Sequence, residues 1–321
     1  FKELEPWKTL YDSDYFGVQD PITGQIGYCS VMGALGQVFA LCMHRGSEGL
    51  EISRRIHARE ITADDFPGLP NCLMGEFEDR RALRKEDLAI IKAVGLKCRG
   101  RKAYPLFRSY LPGYCDWFLT EEEAAFLSLA FEAAVCFVAL SREQPDILEW
   151  ISADRVMVYI SRHNAVSGRS WTTLWLAPDL PPTAIVQEPV PEEVLHGIEL
   201  QNLPRSGAWE VGSFILSNAR ITDRDRPYYP RLLLAIHSRS RITLASKTVP
   251  AFENASVALR DFIVSTINNN GLLPTELRVS DESLLQPFKP IAARFGIVSR
   301  ICSKLPALVE ARRTLSMRGL A

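Results

Sequence analysis

The stretch DYFGVQDPITGQIGYCSVMGALGQVFALCM (residues 14–43) decides the fold of the N-terminal half. It contains three apolar runs separated by two glycine-containing breaks. In the first break, Pro21 fixes φ for a turn and Gly24 can adopt a positive φ. The second break, residues 33–36, begins and ends with glycine. This pattern predicts antiparallel strands joined by tight turns.

The C-terminal half has a different order of elements. Candidate strands come first, at residues 155–161, 171–177, 209–216, 231–237 and 241–249. Helices and strands then alternate, with helices at 253–269, at 282–295 and from residue 306, and strands at 275–280 and 297–301. Such alternation predicts a sheet with at least one parallel edge and right-handed crossovers.

The predicted fold class is therefore α+β, with an N-terminal antiparallel sheet plus helices and a C-terminal mixed-sheet α/β domain. A chain of 321 residues is long for one hydrophobic core and suggests roughly two domains. We place these domains at residues 1–145 and 146–321, because the element order changes near Pro145.

Composition limits the classes of partner. The chain has 37 basic and 38 acidic residues, so no global field attracts nucleic acid or anionic lipid, and such a contact requires a local patch. The seven cysteines are scattered and never spaced as CxxC. This favours buried thiols in a reducing compartment, which predicts a cytoplasmic protein without a disulfide framework or a zinc knuckle.

The longest apolar run, residues 124–140, is predicted to be a buried helix of a protein without a membrane partner. It is shorter than the ~20 residues that span a bilayer, and Glu132 lies at its middle. Thr120 and Glu123 before it have the capping-box spacing of a helix start.

The segment KCRGRKAYPLFRSYLPGYCDWF (residues 97–118) mixes cations with aromatic side chains and is the candidate working surface. Guanidinium groups can pair with phosphate or carboxylate, and aromatic rings can stack on planar groups. The candidate anion-binding residues are Arg99, Arg101, Lys102, Arg108, Tyr110, Tyr114 and Trp117. In the alternative interpretation, the rings cover the edge of the core and the cations pair with acids such as Glu76, Glu78 and Asp79.

The sequence motifs that would indicate a metal site or a hydrolase are weak or absent. Cys42 and His44 would face the same way on a strand, but a closed metal site needs two further ligands and none is nearby in sequence. A packed thiol and a structural imidazole are favoured, and we predict no metal site and no cofactor. The sequence has no GxSxG, HExxH or phosphate-loop motif, so a hydrolase would lack its nucleophile.

Residues 19–50 and 99–132 resemble the N-terminal module of an uncharacterised bacterial family. Residues 226–249 (RPYYPRLLLAIHSRSRITLASKTV) and 271–315 are similar to the second module of the same family. This resemblance covers most of the chain and implies a two-module protein, without implying an activity.

The C-terminal half also resembles, more distantly, the ribonuclease H-like core of transposases and integrases in its order of strands and helices. The resemblance implies acids on the first strand, at the end of the fourth strand and on a later helix, which hold two metal ions. Asp281 occupies the fourth-strand position, but only Glu210 and Glu310 are near the other two. The implied metal cage is incomplete, and Asp281 has a plainer role as the cap of the next helix.

These features predict a non-catalytic binding or scaffold protein whose cationic and aromatic surface contacts an anionic partner, either nucleic acid or an acidic protein. The alternative is a metal-dependent nuclease or transposase-like enzyme, or its inactive remnant, with Asp281 as a catalytic residue.

Overall fold

The computed structural model describes residues 1–61, 68–152, 154–164, 168–179, 190–199 and 202–317. The chain divides into two compact units, each formed from three segments. The first comprises Phe1–Thr62, Leu69–Leu111 and Asp116–Pro182, and the second comprises Ala63–Gly68, Pro112–Cys115 and Thr183–Ala321. The placement of the two domains at residues 1–145 and 146–321 stays a prediction.

The first unit contains a seven-stranded sheet in the order β5-β4-β3-β2-β1-β6-β7. Its strands are β1 (Phe16–Gln19), β2 (Ile26–Met32), β3 (Ala40–Arg45), β4 (Cys72–Glu78), β5 (Tyr104–Tyr110), β6 (Val156–Asn164) and β7 (Gly168–Leu176). Neighbours are antiparallel except β1 and β6, which are parallel. The three strands predicted over residues 14–43 are confirmed.

Helix α3 (Glu121–Glu143) covers one face of this sheet, and the sequence explains where it begins. The Thr120 side chain accepts a hydrogen bond from the Glu123 N–H, and the Glu123 carboxylate accepts one from the Thr120 N–H. By length and composition alone, the helix could also cross a membrane. Its buried residues, however, pack on the sheet, with Phe137 stacked on Phe16 of β1 at 4.7 Å between ring centroids. The predicted core helix is therefore confirmed.

The opposite face of the sheet carries α1 (Gly46–His57) and α2 (Lys85–Ala93). Leu50 of α1 packs with Tyr15, Tyr28 and Val156 in a small apolar cluster. The polar side chains described below, from Ser30 to Arg108, lie on this face.

Two parts of the sequence prediction of this sheet differ from the structure. The sequence prediction places the strands near residues 155–161 and 171–177 in the C-terminal half, but both belong to the first sheet, where β6 pairs with β1 and β7 pairs with β6. The parallel β1–β6 pairing joins segments far apart in sequence, which local patterns do not report. The candidate working surface, residues 97–118, has no strand in the sequence prediction, whereas residues 104–110 form an edge strand, where Pro105 is tolerated.

The second unit contains a five-stranded sheet in the order β10-β9-β8-β11-β12. Its strands are β8 (Arg205–Ile215), β9 (Pro230–His237), β10 (Thr243–Pro250), β11 (Leu273–Val279) and β12 (Val298–Ile301). The strands β8, β11 and β12 are parallel, whereas β9 and β10 are antiparallel to their neighbours. The predicted parallel edge is therefore present, and the two sheets with their helices confirm the α+β class.

Helices cover both faces of the second sheet. They are α4 (Glu192–Glu199), α5 (Ala255–Asn270), α6 (Glu282–Leu285), α7 (Lys289–Phe295) and α8 (Pro306–Met317). Trp209 of β8 and Phe262 of α5 belong to the larger core, while Leu234 of β9 and Leu308 of α8 belong to the core on the other face. Gly271 and Gly296 end α5 and α7 in the left-handed conformation, which glycine adopts without the strain of a side chain.

Candidate functional site

The cations of the predicted anion-binding segment lie in different environments. Arg99 and Arg101 are exposed in the loop between α2 and β5. Lys102, with a positive φ of 51°, places its ammonium 2.5 Å from the Glu78 carboxylate. Arg108 on β5 is 3% exposed. Of these four cations, Arg99 and Arg101 have the exposure that anion binding requires. Anion binding by these residues stays a prediction.

Arg108 forms a buried ion-pair network that attaches α2 to β5. Its guanidinium donates to both carboxylate oxygens of Asp87, at 2.8 and 2.6 Å, and its Nε lies 3.4 Å from Asp116. Arg84 also pairs with Asp116, at 2.6 Å. Burial raises the pKa of Asp87, but hydrogen bonds from Arg108 and the Arg84 N–H outweigh burial and hold the pKa below its usual value. The geometry therefore gives Arg108 a structural position instead of the expected contact with an anion.

The predicted aromatic residues also separate. Tyr110 is partly buried at the end of β5, and Trp117 exchanges backbone hydrogen bonds with Ser109. Tyr114 belongs to the second unit, where its ring stacks on Phe252 at 4.6 Å and an angle of 7°. The stacking surface expected from the sequence is thus used for packing at Tyr114, as in the alternative interpretation.

The structure instead identifies residues 80–102 as a strongly basic surface segment. It contains nine basic and two acidic residues, a net charge of +7 in a chain whose total is −1. Seven of the nine cations are exposed: Arg80, Arg81, Lys85, Lys92, Lys97, Arg99 and Arg101. Asp79 joins the two ends of the segment, because its carboxylate accepts a 2.8 Å hydrogen bond from the Lys102 N–H. A charge count in a sliding window would have found this basic segment, which the search for cations among aromatics missed.

Apolar side chains are exposed at the centre of the basic segment. Ile90 on α2, Val94 at its end and Leu96 beyond it are 60%, 71% and 49% exposed, respectively. The Asp87–Arg108 pair holds the start of the same helix on the sheet. An apolar centre with a charged rim is the composition of protein-binding surfaces.

A second polar cluster lies on the sheet face that carries α1. Cys42 and His44 of β3 face the same way, as the sequence predicts, and the β3–β4 register places Cys72 directly opposite His44. One ligand atom from each of the three residues lies within 4.8 Å of the other two. Among the residues that the structure describes, no other His, Cys, Asp or Glu group of this size is so close.

Protonation in this cluster follows from burial. The adjacent Cys72 thiol and burial raise the pKa of Cys42. Burial, with His57 nearby, lowers the pKa of His44 to about 3, so its imidazole is neutral. The sequence could not find Cys72 as the third member, because it is far from Cys42 and only strand register brings the two together.

The carboxylates expected in a ribonuclease H-like site are each engaged elsewhere. Asp281 follows β11, but its carboxylate caps α6, accepting from the Leu284 N–H at 3.1 Å and the Ser283 hydroxyl at 2.5 Å. Glu210 on β8 is buried and accepts from the Ser238 hydroxyl and the Leu308 N–H. Glu310 pairs with Arg241. Hydrogen bonds to Asp281 outweigh burial and lower its pKa.

A cleft of about 460 Å³ in the second unit lies where the parallel strands end. Residues that follow or close β8, β11 and β12 line it, including Ser213, Ser280 and Ser303, together with Arg312 and Arg313 of α8. The carboxyl ends of parallel strands are where open α/β sheets bind ligands. Asp281 is not among the lining residues.

Comparison with known families agrees with a two-module chain. Residues 1–158 match a family model described as "Domain of unknown function (DUF7309)". Residues 198–316 match a second, described as "Domain of unknown function (DUF6930)". No curated protein matches the chain. The N-terminal and C-terminal parts of this protein thus each match a family of domains of unknown function, as the resemblance to an uncharacterised two-module family predicted.

Proposed function

We propose that this protein is a non-catalytic, cytoplasmic binding or scaffold protein, and that its basic segment, residues 80–102, binds an acidic segment of a partner protein. The observation that carries the proposal is the net charge of +7 around the exposed side chains of Ile90, Val94 and Leu96. Charge complementarity requires an anionic partner, and steering by these cations would speed its association.

The exposed aliphatic side chains favour an acidic protein over nucleic acid. The phosphates of a nucleic acid would pair with the cations, but its backbone would leave Ile90 and Val94 in water. A partner with alternating acidic and apolar side chains would cover them. Each fully buried side chain of this kind contributes about 1.5–3 kcal/mol. The residues that we assign to the ionic contacts are Arg99 and Arg101, because both are exposed and can pair with carboxylates at two points.

The experiment uses two fluorescent probes, a peptide of alternating glutamate and leucine and a single-stranded oligonucleotide. Anisotropy should report binding of the peptide at low salt and weaker binding at high salt. Changing Arg99→Ala together with Arg101→Ala should weaken it about tenfold or more. The matched control is the pair Arg220→Ala and Arg239→Ala, two exposed arginines outside the segment, which should bind like the wild type.

The apolar contact is tested separately by Ile90→Ser with Val94→Ser. These changes should weaken peptide binding while leaving retention on a heparin column unchanged, since the cations remain. An oligonucleotide that binds tightly and ignores the serine changes would replace the acidic protein with nucleic acid as the partner. Failure of both probes to bind would remove the proposal.

The alternative function, a metal-dependent nuclease or transposase-like enzyme or its inactive remnant, has one supporting observation. Along the chain, three strands (β8–β10) are followed by a helix, a strand, further helices and a strand, which is the order of elements that the resemblance implies and supports this alternative. The engagement of Asp281, Glu210 and Glu310 in other contacts favours the inactive form of this alternative. Mn²⁺-dependent nicking of plasmid DNA that is lost in Asp281→Asn would establish the active form.

A further inference from the structure

The cluster of Cys42, His44 and Cys72 has the donor set of a metal site. Two thiols and an imidazole are ligands that Zn²⁺ prefers, and three protein ligands with one open position are typical of zinc sites that bind water or substrate. All three ligand atoms come from neighbouring strands of one sheet, β3 and β4, so the sheet fixes their positions. We propose that these three residues bind one Zn²⁺ ion, with water at the fourth position.

The spacing of the ligand atoms fits this ion. Zinc bonds of about 2.3 Å to sulfur and 2.0–2.1 Å to nitrogen place tetrahedral ligand atoms roughly 3.6–3.8 Å apart. The distance between Cys42 Sγ and His44 Nδ1 is 3.9 Å, and one ligand atom from each of the three residues lies within 4.8 Å of the other two. Shifts of a few tenths of an ångström up to about 1 Å, within the reach of side-chain torsions, bring them to ideal separation.

A neighbouring hydroxyl is placed to orient the imidazole. His44 Nε2 lies 3.4 Å from Ser30 Oγ, on the ring nitrogen opposite the one that faces Cys42. With the Nε2–H donating to Ser30, Nδ1 keeps its lone pair free for the metal, which is the arrangement that partners of metal-bound histidines impose.

Charge balance also suits a buried site. Cys42 and Cys72 are 5% and 6% exposed, and as thiolates they would carry two negative charges. A divalent cation cancels both, so that the filled site is neutral and avoids the cost of an unpaired buried charge.

The primary test is a titration of the reduced full-length protein with Co²⁺, followed by displacement with Zn²⁺. One equivalent of Co²⁺ should produce the visible bands of tetrahedral cobalt and near-ultraviolet thiolate charge transfer. Zinc analysis after dialysis should give one ion per chain. Absence of these bands in the folded wild type would overturn the proposal, whatever the variants do.

Variants assign the ligands. Cys42→Ala and Cys72→Ala should each abolish the charge-transfer band or reduce it by half, and Ser30→Ala should weaken metal affinity about 10- to 100-fold. The matched control is Cys29→Ala, which removes a buried thiol of β2 that belongs to the core on the opposite face, and it should bind like the wild type. A zinc signal that survives Cys42→Ala and Cys72→Ala unchanged would overturn the site.

Mass spectrometry distinguishes a metal site from a redox pair. The isolated protein could carry a Cys42–Cys72 disulfide and fail to bind metal once that disulfide is reduced. In that case the two cysteines are a thiol–disulfide couple and the proposal is wrong. Circular dichroism on each variant separates lost ligands from lost folding. None of these readouts depends on the partner proposed for residues 80–102.

Discussion

Asp87 and Arg108 form a two-point ion pair, with distances of 2.8 and 2.6 Å, between the first turn of α2 and the edge strand β5. Both side chains are buried, at 8% and 3% exposed. Removing one partner of such a pair leaves a charge without compensation, whereas removing both is much less costly. The pair therefore determines how firmly the basic segment is held on the sheet.

Arg108→Met should lower the free energy of unfolding by about 3–5 kcal/mol, because Asp87 is left buried and unpaired. The double variant Asp87→Leu with Arg108→Met should recover much of this loss. Urea unfolding of the wild type, both single variants and the double variant measures the coupling. A loss in the double variant equal to the sum of the two single losses would show that the pair contributes no interaction of its own.

Stability should depend on pH through Asp87. Its folded pKa lies below its unfolded value, about 3.9, so its contribution is complete above that pH and is lost as the pH falls through the folded pKa. The wild type should therefore exceed Asp87→Asn in stability at pH 7, and the difference should shrink below about pH 4. Urea midpoints at a series of pH values for both proteins measure this. A difference that stays constant down to pH 3 would contradict it.

Asp281 should behave as a helix cap. Asn caps a helix about as well as Asp does, so Asp281→Asn should keep the wild-type stability while Asp281→Ala loses about 1 kcal/mol. Thermal unfolding in the presence and absence of Mn²⁺ adds a second readout. A melting temperature that rises with Mn²⁺ in the wild type but not in Asp281→Asn would instead indicate a metal ligand.

Gly113 should tolerate no side chain. Its φ is 79°, and a Cβ atom there would lie 2.3 Å from the Phe252 backbone nitrogen. Gly271 has a similar φ of 61° with no atom within 4 Å of such a Cβ, so Gly271→Ala carries only the backbone strain of about 1–2 kcal/mol. Gly113→Ala should cost clearly more. Equal melting temperatures of the two variants would show that the Phe252 backbone moves aside.

Local signals predicted much of the fold. Pro21 and Gly24 marked the first hairpin, and Thr120 and Glu123 marked the start of α3, because caps and turns depend on a few adjacent residues. The parallel pairing of β1 with β6 was not predictable in this way, since its partners are distant in sequence.

The candidate site was harder to predict for the same reason. Arg108 looked like a surface cation in sequence, but strand alternation in β5 turns it toward Asp87, which lies on another element. Cys42 and His44 lacked a third ligand until strand register brought Cys72 opposite His44. In both cases the partner, Asp87 or Cys72, lies on another element and is brought close only by the tertiary fold, so local sequence patterns could not identify it.

The short segment Pro112–Cys115 belongs to the second unit although it is made early in the chain. The Gly113 carbonyl accepts from the Tyr229 N–H, and the Cys115 N–H donates to the Pro227 carbonyl. During ribosomal synthesis this segment emerges long before those partners exist. The second unit can therefore be completed only after residues 227–229 are synthesised, although one of its segments is translated together with the first unit.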